Sequence, residues 1–406
     1  MARSSLMGMG EAKKRGLSAS LTPRGRLAWR YSAVRRHTAR MTAFTSPTST
    51  ATSPALRVGL IGWGNASRVF HGPLITTTPG LQLVAVASRQ PEQVRADLGD
   101  AVTVHAEPAQ LIARRDLDLV VIPTPNDTHY PLALAALQAG HAVVVDKPFT
   151  LETEEARHLV AVARERGQFL SVFHNRRWDG DFLTARALLA SGRLGRITHA
   201  QLHFDRFRPL VQTRWREGDG PGAGIWYDLG PHLLDQAVQL FGRPVAIWAD
   251  LATQREGGQS PDVAHARLRW ANGLRADLHA SMLAAQPGPR FALHGTLGSW
   301  VKHGLDAQED ALKAGQRPDP AQPEVWGADT QAGTLTTVPA NAPDATPLVQ
   351  AWPTLPGAYP AYYAGVRDAL RGLAPNPVPA DEALCVQELL NLGVQSALER
   401  RELAAV

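Results

Sequence analysis

The chain has 406 residues, enough for two or three domains and a substantial core. It is 44% hydrophobic and 19% charged, which is a globular composition. No apolar run approaches the ~20 residues that span a bilayer, so a membrane-crossing protein is excluded. A single cysteine, Cys385, excludes an internal disulfide and a Cys-rich metal site and fits a reducing, cytoplasmic setting.

The net charge of +5 is unevenly placed, because residues 1–40 hold ten Lys or Arg against Glu11 alone. The rest carries 32 basic and 36 acidic residues, a mildly acidic body that argues against nucleic acid as its ligand. Residues 42–54 are rich in Thr, Ser and Pro and read as a linker, so residues 1–55 form a basic, disordered extension. Arg and Ser enrichment resembles a transit peptide, and Arg35-Arg36 a twin-arginine signal, but no apolar segment follows the pair. Translation starting at Met41 is the favoured explanation of the extension.

From residue 57 short apolar runs alternate with helical stretches, the pattern of βαβ units and a parallel sheet. Strands are expected over 57–61, 82–88, 102–105, 117–122, 142–146 and 169–172, with helices over 66–77, 91–98, 108–114, 128–139 and 151–166. Six strands with helical crossovers make an α/β, doubly wound domain over 56–176, whose ligands sit beyond the carboxyl ends of its strands. Residues 177–406 read as an α+β domain with a largely antiparallel sheet covered by helices on one face. Its helices are expected over 179–190, from about Asp228 through 240, and over 361–371 and 381–400. Its strands are expected over 197–207, 263–270 and 274–282 around Asn272-Gly273, then 290–295 and 299–303. Residues 306–360 are Pro-rich and read as mostly irregular.

After the first strand stands Gly62-Trp63-Gly64-Asn65-Ala66-Ser67, a GxGxxG-like turn with serine last. Glycines there allow the tight turn and let a pyrophosphate approach the backbone at a helix start; the alternative is a turn and nothing more. The second strand ends in Ser88-Arg89 where an acid would select NAD, so a ribose 2′-phosphate and NADP are favoured over NAD. Arg89 as a solvated loop residue is the competing reading. The fourth strand ends in Pro123-Thr124-Pro125-Asn126-Asp127-Thr128-His129, where Pro125 stiffens the turn and Asn126 is a candidate lining of the nicotinamide pocket. Thr128 or Asp127 caps the next helix, and His129 serves either packing or the cofactor. Asp146-Lys147-Pro148 then places an ammonium at the sheet's ligand-binding edge.

In the second domain Asp228 and His232 are four apart, so a shared helix puts them on one face beside the glycine-rich loop 218–224. Pro231 is tolerable only in a first helical turn, which sets the expected helix start near Asp228. Asn175, Arg176, Arg206, Arg208, Arg214 and Arg216 are candidate hydroxyl binders, or else partners in salt bridges. Trp178 and Trp215 are candidate apolar walls for a sugar-like ring. His199, His203, His265 and His279 fall on strands without metal-site spacing, so no metal is expected.

The Gly62-Trp63-Gly64-Asn65 turn, Asp146-Lys147-Pro148 and Asp228 with His232 together resemble the Gfo/Idh/MocA oxidoreductases, whose members commonly have Glu-Lys-Pro at the triplet. Val172-Phe173-His174-Asn175-Arg176-Arg177-Trp178-Asp179, Arg214-Trp215-Arg216-Glu217 and Tyr227-Asp228-Leu229-Gly230-Pro231-His232 bring the chain nearest to the NADP-dependent scyllo-inositol dehydrogenase branch. The likeness runs from about residue 56 to the C-terminus. It implies hydride transfer between NADP and a cyclic polyol or sugar, with scyllo-inositol and its keto form as the most specific pair and an aldose or keto-sugar as the runner-up. It also implies Lys147, Asp228 and His232 as catalytic residues. His232 acts as base, Lys147 polarises the reacting oxygen, and Asp228 binds a hydroxyl or orients the imidazole. Asn175, Arg176, Trp178, Arg214 and Trp215 are its expected substrate contacts, and the open sheet face is expected to join a homodimer or homotetramer. A ligand sensor without turnover is the competing class, and three residues suited to proton transfer speak against it.

Overall fold

The structure is a computed structural model that describes residues 54–322, 325–342 and 344–405; the basic extension lies outside them. Residues Ser53–Val406 form one compact unit. The first half alternates β1 (Leu56–Ile61), a π-helical turn (Ser67–His71) running into α1 (Gly72–Thr76), β2 (Leu81–Ala87), α2 (Pro91–Leu98), β3 (Thr103–His105) and α3 (Pro108–Ile112). It continues with β4 (Leu119–Ile122), α4 (His129–Ala139), β5 (Ala142–Val145), α5 (Thr153–Glu165) and β6 (Leu170–Val172). The strands pair in parallel in the order β3-β2-β1-β4-β5-β6. Every residue of Leu119–Ile122 is buried, as expected of a central strand covered on both faces. The order reverses between β1 and β4, which opens a crevice above their carboxyl ends.

The second half holds α6 (Gly180–Ala190), β7 (Ile197–Asp205), α7 (Ile225–Phe241), β8 (Ala246–Ala252), β9 (Val263–Arg269), β10 (Arg275–Ser281), β11 (Phe291–Gly295) and β12 (Gly298–Lys302). There follow α8 (Gln308–Lys313), β13 (Gly333–Thr337), β14 (Leu348–Trp352), α9 (Pro360–Leu370), α10 (Ala380–Glu399) and β15 (Leu403–Ala404). Nine strands run in the order β14-β13-β12-β11-β7-β10-β9-β8-β15, antiparallel except for β10 with β7. Ala200, Leu202 and Phe204 of β7 point into the core beneath α7, while His199 and His203 alternate to the other face. α10 packs on α7 where Trp226 fills the space that a Cβ at Gly393 would take, 2.5 Å from the indole ring. No helix among the described residues is long and apolar enough to cross a membrane.

One expectation for the second half holds and another needs correction. Residues 306–360 are mostly irregular, as expected, with α8, β13 and β14 the exceptions among the described residues. β14 is an outer strand with Leu348 and Val349 exposed, so it lacks the apolar alternation that reveals a half-buried strand. α7 begins at Ile225 rather than near Asp228, which places Pro231 inside the helix. Proline has no N–H, so Tyr227 O loses its helical donor there, while the first turn of the helix is held by its neighbours. Ile225 N bonds Pro261 O at 2.7 Å, and Trp226 Nε1 bonds Leu390 O at 2.9 Å.

Candidate active site

Two cavities lie on either side of the turn after β1, where Gly64 lines one and Asn65 the other. The first is a groove of about 510 Å³ over the ends of β1, β2 and β4, lined by Gly62, Gly64, Ser88, Arg89, Thr124 and Pro125 among others. Gly62 sits at φ +92°, where a side chain would be strained, and a Cβ at Gly64 would stand in open space. That open floor, beside a helical start and an exposed Arg89, fits the pyrophosphate and adenosine end of a dinucleotide. Ser88 Oγ accepts the Gln90 N–H at 3.1 Å and shapes the turn.

Three of the expected cofactor contacts are engaged within the protein. Ser67 is buried and donates to Gly62 O at 2.8 Å, closing the turn from inside. Asn126 Nδ2 donates to Gly222 O at 3.1 Å, tying the nucleotide side to the glycine-rich loop. Gly222 has φ +73°, and a Cβ on it would strike Leu151 at 2.4 Å, so this approach requires glycine. His129 is fully buried with Nδ1 2.7 Å from Pro148 O and Nε2 3.0 Å from Thr124 O, and the ring, its pKa lowered by burial, donates to one of the two carbonyls. The ring therefore sits between two loops, and the expected cofactor contact by His129 is replaced by a structural one.

The second cavity, about 460 Å³, lies between the sheets and is lined by Lys147, Asn175, Arg206, Trp215, Asp228 and His232 among others. Lys147 arrives from the end of β5, with its Lys147-Pro148 bond cis. Its Nζ donates to Asp228 O at 2.7 Å and Oδ1 at 3.0 Å, so it docks on α7 one turn before His232. Burial raises the Asp228 pKa, but Lys147, Arg206 and Arg216 outweigh it and hold the carboxyl well below its usual range. Burial, with Lys147 and Arg176 adding like charge, pushes the His232 imidazole well below 6.5. The ring is therefore neutral, and its Nδ1 is enclosed without a hydrogen-bond partner among the described residues. Asp228 is thus the partner of Lys147 and does not orient the imidazole as one expectation had it.

Beneath Lys147 lies Asp146, which is buried; burial raises its pKa, yet His71, with Nε2 3.8 Å away, and Lys147 bring it down to about 2. His71 Nδ1 is bonded to Tyr363 OH at 2.6 Å. His174 is fully enclosed and depressed to about 4, chiefly by burial. Arg177 ties this edge to α7 and α10 through Asp235 at 2.6 Å and Glu382 at 2.5 Å.

The expected substrate contacts divide. Asn175 and Trp215 line the cleft, and Arg216 stacks on the Trp215 ring at 4.5 Å. Arg214 also lines it, but its guanidinium is held by Glu217 at 2.5 Å. Arg176 reaches the wall with its guanidinium already paired with Glu309 and Asp179 and donating to Tyr359 OH, so it braces the cleft. Trp178 lies outside the lining and packs edge-on against Tyr362 at 5.6 Å, which removes it as a substrate wall. Glu309 and Lys313, which also line the cleft, were missed because they lie on α8. Their signal was present, with Asp306 capping Gln308 N at 2.9 Å, acids in the first turn and Lys313 in the last.

His203, Asp205 and His279 carry ligand atoms within 4.8 Å of one another and could hold a cation. Chain spacing hid this set because the parallel pairing of β10 with β7 brings it together. Asp205 is already engaged by His279 at 2.7 Å and Gly288 N at 3.0 Å.

Fold and cleft together define an NAD(P)-binding oxidoreductase, and comparison with known proteins agrees. Residues 56–174 match the oxidoreductase family with an NAD-binding Rossmann fold, and residues 182–301 the GFO/IDH/MocA C-terminal domain. The chain belongs to the Gfo/Idh/MocA family. It is 53% identical over 351 residues to the uncharacterized oxidoreductase YdgJ of Escherichia coli, covering 86% of this chain and 99% of that one. It is 38% identical over 348 residues to the scyllo-inositol 2-dehydrogenase (NADP(+)) IolW of Bacillus subtilis, covering 85% and 95%. The solved structure of YPO2259 from Yersinia pestis superposes with a TM-score of 0.82 at 50% identity, covering 88% and 99%.

Proposed function

We propose that this protein is an NADP-dependent dehydrogenase acting on the CH–OH group of a cyclic polyol or sugar, with scyllo-inositol and its keto form as the leading pair. The observation that carries this is the convergence of Lys147 from the nucleotide-binding half and His232 from α7 on one cleft next to the dinucleotide groove, with Gly64 lining the groove and its neighbour Asn65 the cleft. The likeness to IolW supports the choice of substrate and cofactor. Residues 56–176 serve the cofactor and 177–406 the substrate; the latter also supply the helix-free sheet face for a homodimer or homotetramer in the cytoplasm.

The bound dinucleotide supplies the hydride acceptor. Gly62, Gly64 and Asn65 cradle its pyrophosphate, while Ser88 and Arg89 take the ribose 2′-phosphate through charge-assisted hydrogen bonds. Lys147 donates to the reacting oxygen and is held in place by Asp228. His232, neutral by burial and with Nδ1 enclosed, takes the hydroxyl proton at Nε2 and returns it in reduction.

A panel of inositols, aldoses and keto-sugars assayed with NADP and NAD in parallel tests the reading. Turnover highest with scyllo-inositol and NADP is expected. Equal or faster rates with NAD would refute the role of Ser88 and Arg89. Tight dinucleotide binding without turnover on any polyol would replace the enzyme with a sensor.

A further inference from the structure

The cleft carries more positive charge than its own acids offset. Asp228 faces Lys147 at 3.0 Å, Arg216 Nε at 3.8 Å and Arg206 at 4.0 Å, so three cations share one carboxylate. Arg208, two residues beyond Arg206 on the same wall, is in no ion pair among the described residues. The acids nearest by are already committed, Glu217 to Arg214 and Arg255, and Glu309 to Arg176 and Lys313. Arg206 registers the imbalance, since burial and the like charges of Arg176 and Arg208 lower its pKa despite Asp228. Neutral polyol hydroxyls would leave this charge as it stands. An oxyanion accepting charge-assisted hydrogen bonds from a guanidinium fork would offset it.

We propose that Arg206, Arg208 and Arg216 form an oxyanion subsite beside Lys147 and His232, which takes a phosphate or carboxylate group. That group comes from one of two sources: an acidic substituent on the polyol substrate, or free inorganic phosphate held beside a neutral one in the same cavity. The subsite rests on the reading of this cleft as the reaction site.

The test uses the full chain and Arg208→Gln, chosen because Arg208 is in no ion pair among the described residues and its loss leaves no buried acid there uncompensated. Binding of inorganic phosphate and pyrophosphate is followed by calorimetry, dinucleotide binding by fluorescence without substrate, and KM on matched pairs such as inositol and inositol phosphate. Wild-type protein is expected to bind phosphate more weakly as salt is raised, and Arg208→Gln to weaken it at least ~10-fold with an unchanged Tm. If the substrate supplies the group, the acidic member has the lower KM and Arg208→Gln abolishes that advantage while dinucleotide affinity holds. If free phosphate supplies it, added phosphate lowers the KM of the neutral polyol in the wild type and Arg208→Gln abolishes that effect while dinucleotide affinity holds. No phosphate binding by the wild type, or Arg208→Gln and Arg216→Gln matching it in all three measurements, would overturn the subsite. The anion titrations need no turnover, so inactivity on every polyol would fell the substrate reading alone.

Discussion

The groove over β1 and the cleft beneath α7 adjoin, yet they are made in different ways. The groove is shaped by backbone: a glycine at φ +92°, an open floor at Gly64 and the ends of parallel strands. The cleft is shaped by charged side chains delivered from separate elements, with Lys147 on Asp228 and two arginines around it. Backbone recognition tolerates most side-chain changes and fails when bulk enters, whereas charge recognition hangs on single atoms. In the first case shape carries selectivity, and in the second the protonation state does.

This contrast is sharpest for the reacting groups. Lys147→Ala or His232→Ala is expected to lower kcat ~100-fold or more while dinucleotide affinity stays within a few-fold, as measured by steady-state kinetics and fluorescence titration. Near-normal turnover in either variant would remove that residue from the chemistry.

A comparable free energy is expected from the imidazoles behind the cleft. His174 is depressed to about 4 in the folded protein, so between pH 6.5 and 4 the unfolded chain binds a proton that the folded one does not. Its contribution is fully present above pH 6.5 and is lost as pH falls through that window, by about 3 kcal/mol at the lower end. Thermal denaturation against pH should show the slope, and His174→Gln should flatten it. An unchanged slope would mean that His174 titrates as it does in water.

The groove gives smaller effects of another kind. Gly64→Val should leave Tm unchanged, because its Cβ meets nothing in the protein itself, while weakening dinucleotide binding ~10-fold by occupying the phosphate's approach. An unaltered dissociation constant would place the pyrophosphate elsewhere. Arg89→Asp should shift the NADP-to-NAD preference several-fold toward NAD through loss of one charge-assisted contact, read from kcat/KM with each cofactor.

Much of the fold was legible along the chain. The fully apolar strands and the interposed helices appear within a residue or two of their expected places, because a parallel sheet buried on both faces leaves a strong local pattern. The hairpin about Asn272-Gly273 was legible for the same local reason, with β9 and β10 pairing across it. β13 and β15 escaped because they hold few apolar residues, whereas β8 and β14 are largely apolar but lack strict alternation with polar residues. Within the site, Lys147, Asp228 and His232 were readable from their triplet and their spacing of four. The reassignment of Asp228 from the imidazole to the lysine was not, because it depends on a contact across 81 residues.

Sequence alone determined the kinds of chemistry available: a glycine turn at a strand end, an ammonium after the fifth strand, an acid and an imidazole on one helix. Those features are local, set by φ preference, periodicity and residue type. Only the tertiary structure decided which of them face a ligand. It drew His129 and Trp178 into packing, spent Arg176 on Asp179 and Glu309 and left Arg208 in no ion pair among the described residues at the cleft wall. The physical reason is that burial and charge compensation are sums over neighbours that the fold assembles from remote segments, and no local pattern records them.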